Sequence, residues 1–108
     1  MYRLTKRLEI SAAHRLNLPY PSRCTEVHGH NFIIEVTCES DTLNEQGMVV
    51  DFSHIREAVM VYDHKNLNDF FEQPTAENLA RAICEKVPHC VAVKVQESEN
   101  NVAEYVKP

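Results

Sequence analysis

Apolar and polar residues alternate along two stretches in the first part of the chain. From Tyr2 to His14 one face carries Tyr2, Leu4, Leu8, Ile10, Ala12 and His14, with Lys6 as the exception, and from His28 onward one face carries His28, His30, Phe32, Ile34, Val36 and Cys38. A period of two is typical of a strand that buries one face, so we predict two strands. Residues 15–27 contain Pro19 and Pro21 and keep no period, which predicts a loop.

Two helices are predicted in the middle of the chain. Ser53 is the candidate N-cap of a first helix, whose apolar residues recur at spacings of three and four: Ile55, Ala58, Val59 and Tyr62. Thr75 is the candidate N-cap of a second helix, with Glu77 in its first turn and Pro88 at its end. The apolar stripe of this second helix is Leu79, Ala80, Ile83 and Val87.

Two further strands are predicted after the helices, at 91–95 and 102–106, on either side of a Ser-Glu-Asn-Asn turn. The order is therefore strand, strand, helix, helix, strand, strand. Strands joined by short loops pair antiparallel. We expect an α+β fold in which a four-stranded antiparallel sheet carries both helices on one face.

Composition narrows the class of protein. With 108 residues, of which 44% are hydrophobic, the chain has the size of a single domain spanning 1–108. The net charge of −5 and the absence of a long Lys/Arg run argue against a nucleic-acid partner. No apolar run suggests a signal peptide or a membrane span, so we expect a soluble, cytoplasmic protein. The four cysteines form no CxxC pair, and a disulfide framework is not expected.

Three histidines share the apolar face of the first two strands. His14 ends one strand, and His28 and His30 begin the next. If the strands pair antiparallel, the three imidazoles converge. Three neutral nitrogens with one vacant position are the ligand set of a catalytic zinc ion. The alternative is a set of partly buried histidines with ordinary hydrogen-bond partners.

Four other residues are candidates for chemistry. Cys24, in the loop before His28, is a candidate reactive thiol; it could also be an ordinary loop thiol, or a fourth zinc ligand that closes the site. Asp63 and His64, predicted to close the first helix, could form a carboxylate–imidazole pair that assists a thiol, or simply satisfy a helix end. Glu97 continues the inner face of the third strand, where its carboxylate could accept N–H bonds from a pterin or guanine edge, meet an Arg or Lys, or sit at the rim.

Six short segments together resemble a known family. They are SAAHRL at 11–16, CTEVHGH at 24–30, GMVVDF at 47–52, DHKNLND at 63–69, PTAENLA at 74–80 and QES at 96–98. The set resembles the family of 6-pyruvoyltetrahydropterin synthases and 6-carboxytetrahydropterin synthases, over essentially the whole chain. The resemblance implies the tunnelling fold, in which the sheets of three subunits join into a barrel and two trimers stack into a homohexamer.

The resemblance also implies roles for the candidate residues. His14, His28 and His30 would bind Zn²⁺, and Cys24 would act as the acid/base thiol. Asp63 and His64 would complete its triad, Glu97 would anchor the pterin ring, and the sites would lie between subunits.

The substrate implied by the resemblance is 7,8-dihydroneopterin triphosphate. The CxxxHGH spacing is similar to that of the bacterial branch, which releases acetaldehyde and triphosphate and forms 6-carboxy-5,6,7,8-tetrahydropterin, a queuosine precursor. The alternative within the family is pyruvoyl-forming elimination of triphosphate. Only eleven residues separate Asp51 from Asp63, about one helical turn fewer than the family suggests. This leaves a zinc- and pterin-binding protein without turnover as a third hypothesis.

Overall fold

A computed structural model describes the whole chain, residues 1–108. Its strands are β1 (Tyr2–His14), β2 (His28–Ser40), β3 (Lys65–Asn66), β4 (Cys90–Ser98) and β5 (Asn101–Val106), and its helices are α1 (Phe52–Met60) and α2 (Ala76–Lys86). Single 3₁₀ turns occur at Arg23–Thr25 and Leu67–Asp69. The chain is therefore α+β with two helices, as the pattern predicts.

The strands form one sheet in the order β3-β1-β2-β4-β5. The four long strands pair antiparallel, which confirms the predicted sheet, and β3 adds a parallel pairing beside Ala12 and Ala13 of β1. The prediction of four strands is therefore wrong, because the short strand β3 makes the sheet five-stranded. A strand of two residues is too short to show any alternation, so no sequence pattern could indicate it.

β1 and β2 pair without interruption from Tyr2↔Ser40 to His14↔His28. Because side chains alternate across a strand, this register places the even-numbered residues of both strands on one face. That face is the core: it packs with apolar residues of β4 and of both helices, and its largest fully buried members include Phe32, Ile10, Ile34, Ile55, Leu79 and Ile83. Full burial of each such side chain contributes about 1.5–3 kcal/mol. Both helices thus lie on one face, as expected.

The ends of α1 differ from the prediction. The N-cap is Asp51, not Ser53: the Asp51 carboxylate accepts a hydrogen bond from the Ser53 backbone N–H at 2.8 Å. Both residue types cap well, and two positions separate them, so sequence alone could not choose. The helix also ends at Met60, so Asp63 and His64 lie beyond it in a turn rather than closing it.

The C-terminal end of α1 is supported by α2. Lys86 donates hydrogen bonds to the Ala58 carbonyl and to the Tyr62 hydroxyl, both at 3.0 Å. A cation beside the last carbonyls of a helix stabilises them. The N-cap of α2 is Thr75, as predicted, and its hydroxyl accepts from the Asn78 backbone N–H.

Three of the four cysteines are core residues. Cys38, Cys84 and Cys90 are buried, all four thiols are free, and burial raises the pKa of Cys84 to about 12. This confirms the packing role predicted for the three cysteines.

Neither helix is long and apolar enough to cross a membrane.

Candidate active site

The end of the β1–β2 ladder brings the three histidines together. His14 lies directly opposite His28, and Ala12 lies opposite His30. The ring centroids are 4.6 Å apart for His14 and His28, 5.2 Å for His14 and His30, and 4.8 Å for His28 and His30. The register that buries the core therefore also assembles this cluster, at the point where the sheet meets the loop 15–27.

Backbone carbonyls orient two of the rings. The Nδ1 atom of His14 lies 2.7 Å from the Pro74 carbonyl oxygen, and that of His28 lies 2.8 Å from the Glu26 carbonyl oxygen. Because a carbonyl only accepts, Nδ1 must carry the proton in both rings, which leaves each Nε2 with a free lone pair. A carbonyl that fixes the tautomer in this way is typical of metal-binding histidines.

The free nitrogens of His14 and His30 meet a carboxylate rather than a donor. Glu97 Oε1 lies 3.0 Å from His14 Nε2 and 3.3 Å from His30 Nε2, yet neither buried nitrogen has a hydrogen-bond partner. Burial lowers the pKa of His30, and the other two histidines lower it further, against the opposing effect of Glu97. Buried acceptors that face one another without a proton between them need a cation.

The four side chains fit a metal ion. One ligand atom from each of His14, His28, His30 and Glu97 can be chosen so that all four lie within 4.8 Å of one another. Imidazole nitrogen and carboxylate oxygen are ligands that zinc accepts in tetrahedral sites. The unpartnered nitrogens and the fixed tautomers therefore agree with the metal site that the histidine pattern predicts.

Cys24 lies beside this cluster but outside the set of four. Its backbone N–H is capped by the Ser22 hydroxyl at 3.1 Å, and its carbonyl accepts from Leu16 N–H at 2.6 Å. The half-buried thiol lines a cavity of about 520 Å³ together with His28, His30 and Glu97. In this arrangement Glu97 rather than Cys24 is the fourth group around the histidines, and the thiol is left facing the cavity.

Asp63 and His64 form a pair in the turn before β3. One Asp63 oxygen accepts from Ser11 N–H at 2.9 Å, and the other lies 3.0 Å from His64 Nδ1. The bond from Ser11 is the main cause that lowers the pKa of Asp63, and the contact with His64 lowers it further. The backbone of His64 has φ 59°, and its side chain is 81% exposed. A left-handed, exposed histidine held by a carboxylate is a strained arrangement typical of functional residues.

The structure does not bring this pair to Cys24 within one chain. His64 lines a separate cavity of about 550 Å³ with Lys65 and Asn66, next to Ser11 and Asn31 of the opposite, polar face of the sheet. Only His30 borders both cavities. A triad made from Cys24, Asp63 and His64 thus cannot be assembled from a single copy in this conformation.

Glu97 sits at an irregularity in the sheet. Its neighbours Gln96 and Ser98 pair with Val102 and Asn101, so the register shifts at Glu97. A bulge of this kind re-aims a side chain. Glu97 continues the face of Val93 and Val95, as the sequence predicts, and its side chain is 28% exposed. The carboxylate points to histidines and not to an Arg or Lys.

Several supporting groups were not predicted. The carbonyls of Pro74 and Glu26 orient the rings, and the side-chain amides of Asn68 and Gln73 hold the chain just after His14. A backbone carbonyl leaves no signal in the sequence. The motif that contains Pro74 predicts the start of α2 and carries part of the resemblance, but neither shows that the Pro74 carbonyl faces His14, and polar loop residues such as Asn68 and Gln73 resemble any other surface amides.

Comparison with known proteins agrees with this geometry. Residues 3–108 match the 6-pyruvoyl tetrahydropterin synthase family. The chain is 32% identical to a 6-carboxy-5,6,7,8-tetrahydropterin synthase of Bacillus subtilis, covering 96% of this chain and 84% of that protein. It is 40% identical to a putative 6-carboxy-5,6,7,8-tetrahydropterin synthase of Archaeoglobus fulgidus, covering 87% and 86%.

A solved structure extends the likeness to the fold. The 6-pyruvoyl tetrahydropterin synthase of Caenorhabditis elegans superposes with a TM-score of 0.78 at 25% identity, covering 99% of this chain and 96% of that one. With a family match over nearly every residue, relatives above 30% identity and the same architecture, this chain belongs to the 6-pyruvoyl tetrahydropterin synthase family.

Proposed function

We propose that this protein converts 7,8-dihydroneopterin triphosphate and one water molecule to 6-carboxy-5,6,7,8-tetrahydropterin, acetaldehyde and triphosphate. The observation that carries the proposal is the cluster of imidazole nitrogens without partners, beside a half-buried thiol in the same cavity. Relatives named for this synthase activity support the choice of product. We propose queuosine biosynthesis as the pathway and the cytoplasm as the location, as the family resemblance implies.

His14, His28 and His30 would hold a zinc ion. When bound, zinc supplies Lewis acidity that makes a carbon-bound proton next to a coordinated hydroxyl more acidic. The protein's part is to present three imidazole nitrogens, with two of the rings oriented by carbonyl bonds and the His14 ring fully buried. These are the requirements of a catalytic rather than a structural metal site.

Cys24 is the proposed acid/base group. It borders the metal cluster without belonging to it, so its thiolate can take a proton from a substrate held in the same cavity. Glu97 is proposed to anchor the pterin ring, because a carboxylate accepts two parallel N–H bonds from an amidine-like edge.

The Asp63–His64 pair is proposed to act on the Cys24 of a neighbouring subunit. Within one chain the pair faces a different cavity, and His64 is largely exposed. Exposure of a strained, carboxylate-bound histidine is explained if another copy covers it. This arrangement requires an oligomer, for which the family suggests a homohexamer built as a dimer of trimers.

The assay is product analysis. Purified protein given 7,8-dihydroneopterin triphosphate should release acetaldehyde and triphosphate in equal amounts, and zinc chelation should stop both. Triphosphate release with a pyruvoyl product and no acetaldehyde would instead indicate the pyruvoyl-forming reaction. Binding without turnover would support a pterin-binding protein, a hypothesis prompted by the eleven residues between Asp51 and Asp63.

A further inference from the structure

The contact between Glu97 and the histidines has the geometry of two ligands around one ion. Two atoms that bind a tetrahedral zinc at about 2.0–2.1 Å lie about 3.3–3.4 Å from each other. Glu97 Oε1 lies 3.0 Å from His14 Nε2 and 3.3 Å from His30 Nε2. The carboxylate oxygen therefore stands close to the distance expected of a ligand that shares the ion with both nitrogens.

A hydrogen bond does not explain this contact. His14 Nε2 is within hydrogen-bond distance of Glu97 Oε1, yet no hydrogen bond forms, and the His14 side chain is only 1% exposed. In a hydrogen bond the ring N–H points at the acceptor. In a metal site each lone pair points at the ion and not at the other ligand. His14 Nε2 is buried and has no hydrogen-bond partner although the carboxylate is close, which indicates the metal arrangement.

Glu97 also borders a second cavity, of about 300 Å³, between the start of α2 and the β4–β5 turn. Glu77 of α2 lines the same cavity. Both carboxylates are hydrogen-bond acceptors, so the cavity suits a ligand that carries N–H donors. The N–H groups of a pterin ring supply such donors. The bulge at Glu97 leaves its side chain out of regular strand pairing, so it can turn from the histidines to this cavity.

We propose that Glu97 has two positions: it is the fourth metal ligand before substrate binds, and the pterin ring draws it away. The inference rests on the proposed function for the identity of the ring. In the first position the carboxylate occupies the metal's vacant site. In the second it binds the ring, and the vacancy opens only when a pterin is present.

The first experiment tests the ligand role with Co²⁺ as the probe. Its visible absorption reports coordination, and its affinity is measured by competition with a chelator. The variants are Glu97→Gln, Glu97→Asp and, as a charge-matched control, Glu99→Gln, whose carboxylate is exposed two residues away. Circular dichroism of each metal-free variant checks the fold.

We expect Glu97→Gln and Glu97→Asp to bind Co²⁺ at least about tenfold more weakly than the unchanged protein and to alter its spectrum, since neither side chain presents a carboxylate at the same place. Glu99→Gln should match the unchanged protein. If Glu97→Asp also matches it, charge alone matters and the ligand role is overturned. Equal affinity and spectra in all four proteins overturn it as well.

The second experiment tests the exchange with unsubstituted pterin, which has the ring's N–H edge but no side-chain hydroxyls to reach the metal. Quenching of pterin fluorescence measures binding independently. We expect pterin to shift the Co²⁺ spectrum of the unchanged protein toward that of Glu97→Gln, and to leave the Glu97→Gln spectrum unaltered. Pterin that binds without a spectral shift overturns the exchange and leaves the catalytic proposal intact. Absence of pterin binding also overturns the exchange, and the acetaldehyde assay then decides separately whether catalysis fails.

Discussion

The histidine cluster and the Asp63–His64 turn are two polar regions on opposite faces of one sheet, and they are built differently. The three histidines of the first region stand on the paired strands β1 and β2 of one chain, and the His14 ring is fully buried. The second is held to Ser11 by two bonds, one from Ser11 N–H to Asp63 and one from His64 N–H to the Ser11 carbonyl, and its His64 side chain is 81% exposed. Under the proposed function, the groups that would bind the metal therefore all come from one chain, whereas the pair proposed to assist proton transfer would act on a neighbouring copy.

The largest effect should come from removing a ligand of the histidine cluster. His14→Ala removes the most buried ligand, so we expect metal content to fall from one ion per chain to nearly none and activity to be lost. Metal bound only by the folded state adds about 4 kcal/mol of stability at a thousandfold excess over Kd, and this gain should disappear. Metal analysis and thermal melts with and without zinc measure both. His54→Ala, at an exposed position of α1, is the control and should keep its metal; a metal-loaded His14→Ala protein would contradict the site.

The second effect tests whether the other region needs a neighbour. Cys24→Ala and His64→Ala should each lower kcat by about 10²–10⁴ with metal retained, since each removes a proton-transfer group and no ligand. If Cys24 and His64 of one site come from different chains, random mixed oligomers should regain about a quarter of normal sites. Activity of the mixture after joint refolding measures this. No recovery would place both groups in one chain and remove the contrast between the two regions.

The contrast also explains what the sequence could predict. The phase of β1 and β2 determines which face each residue occupies, so His14, His28 and His30 followed from the same pattern that buries Phe32. The strand ladder then determined the distances. By the same logic Glu97 was predicted to point inward, although its irregular pairing was not.

Loops have no regular alternation of apolar and polar residues, so the predictions for loop residues were weaker. Asp63 and His64 were assigned to a helix end because an apolar stripe does not show where a helix stops, and α1 ends three residues earlier. Asp63 and His64 lie away from Cys24 because the turn that carries them reaches the opposite face of the sheet. Which face a turn reaches is determined by tertiary packing and not by local sequence. The Pro74 and Glu26 carbonyls that orient the histidine rings are backbone groups, so residue identity could not predict their role.

A smaller effect should distinguish the two faces by pH. In Asp63→Asn the amide can still accept from Ser11 N–H, but its NH₂ group meets His64, so we expect activity to fall about tenfold or more. The bond from Ser11 lowers the pKa of Asp63. A lowered folded pKa gives stability that is present above the unfolded value of about 3.9 and is lost as pH falls through the folded value.

Thermal melts across the acid range measure that dependence. The difference in Tm between the unchanged protein and Asp63→Asn should be constant from neutral pH to about pH 5 and should shrink below about pH 4. Asp41→Asn, at an exposed turn position, controls for the loss of one charge. A difference that instead grows toward acid pH would mean that Asp63 is not held as a carboxylate.

The smallest effect concerns how Cys24 is held. The Gln73 side-chain amide accepts from Asn17 N–H and donates to the Asn17 carbonyl, both at 2.9 Å, and Leu16 N–H in turn donates to the Cys24 carbonyl. Gln73→Ala removes two partly solvated bonds, worth at most about 1 kcal/mol each. We expect faster amide exchange at Asn17 and Leu16, a modest fall in kcat and no change in metal affinity. Gln73→Glu, which keeps only the acceptor, should lie between, and Gln46→Ala in an exposed turn should change nothing. Weakened metal binding in Gln73→Ala would show that the loop supports the histidines too. An effect on kcat without one on metal affinity would mean that the Gln73–Asn17 bonds position the Cys24 thiol and are not needed to assemble the histidines on β1 and β2.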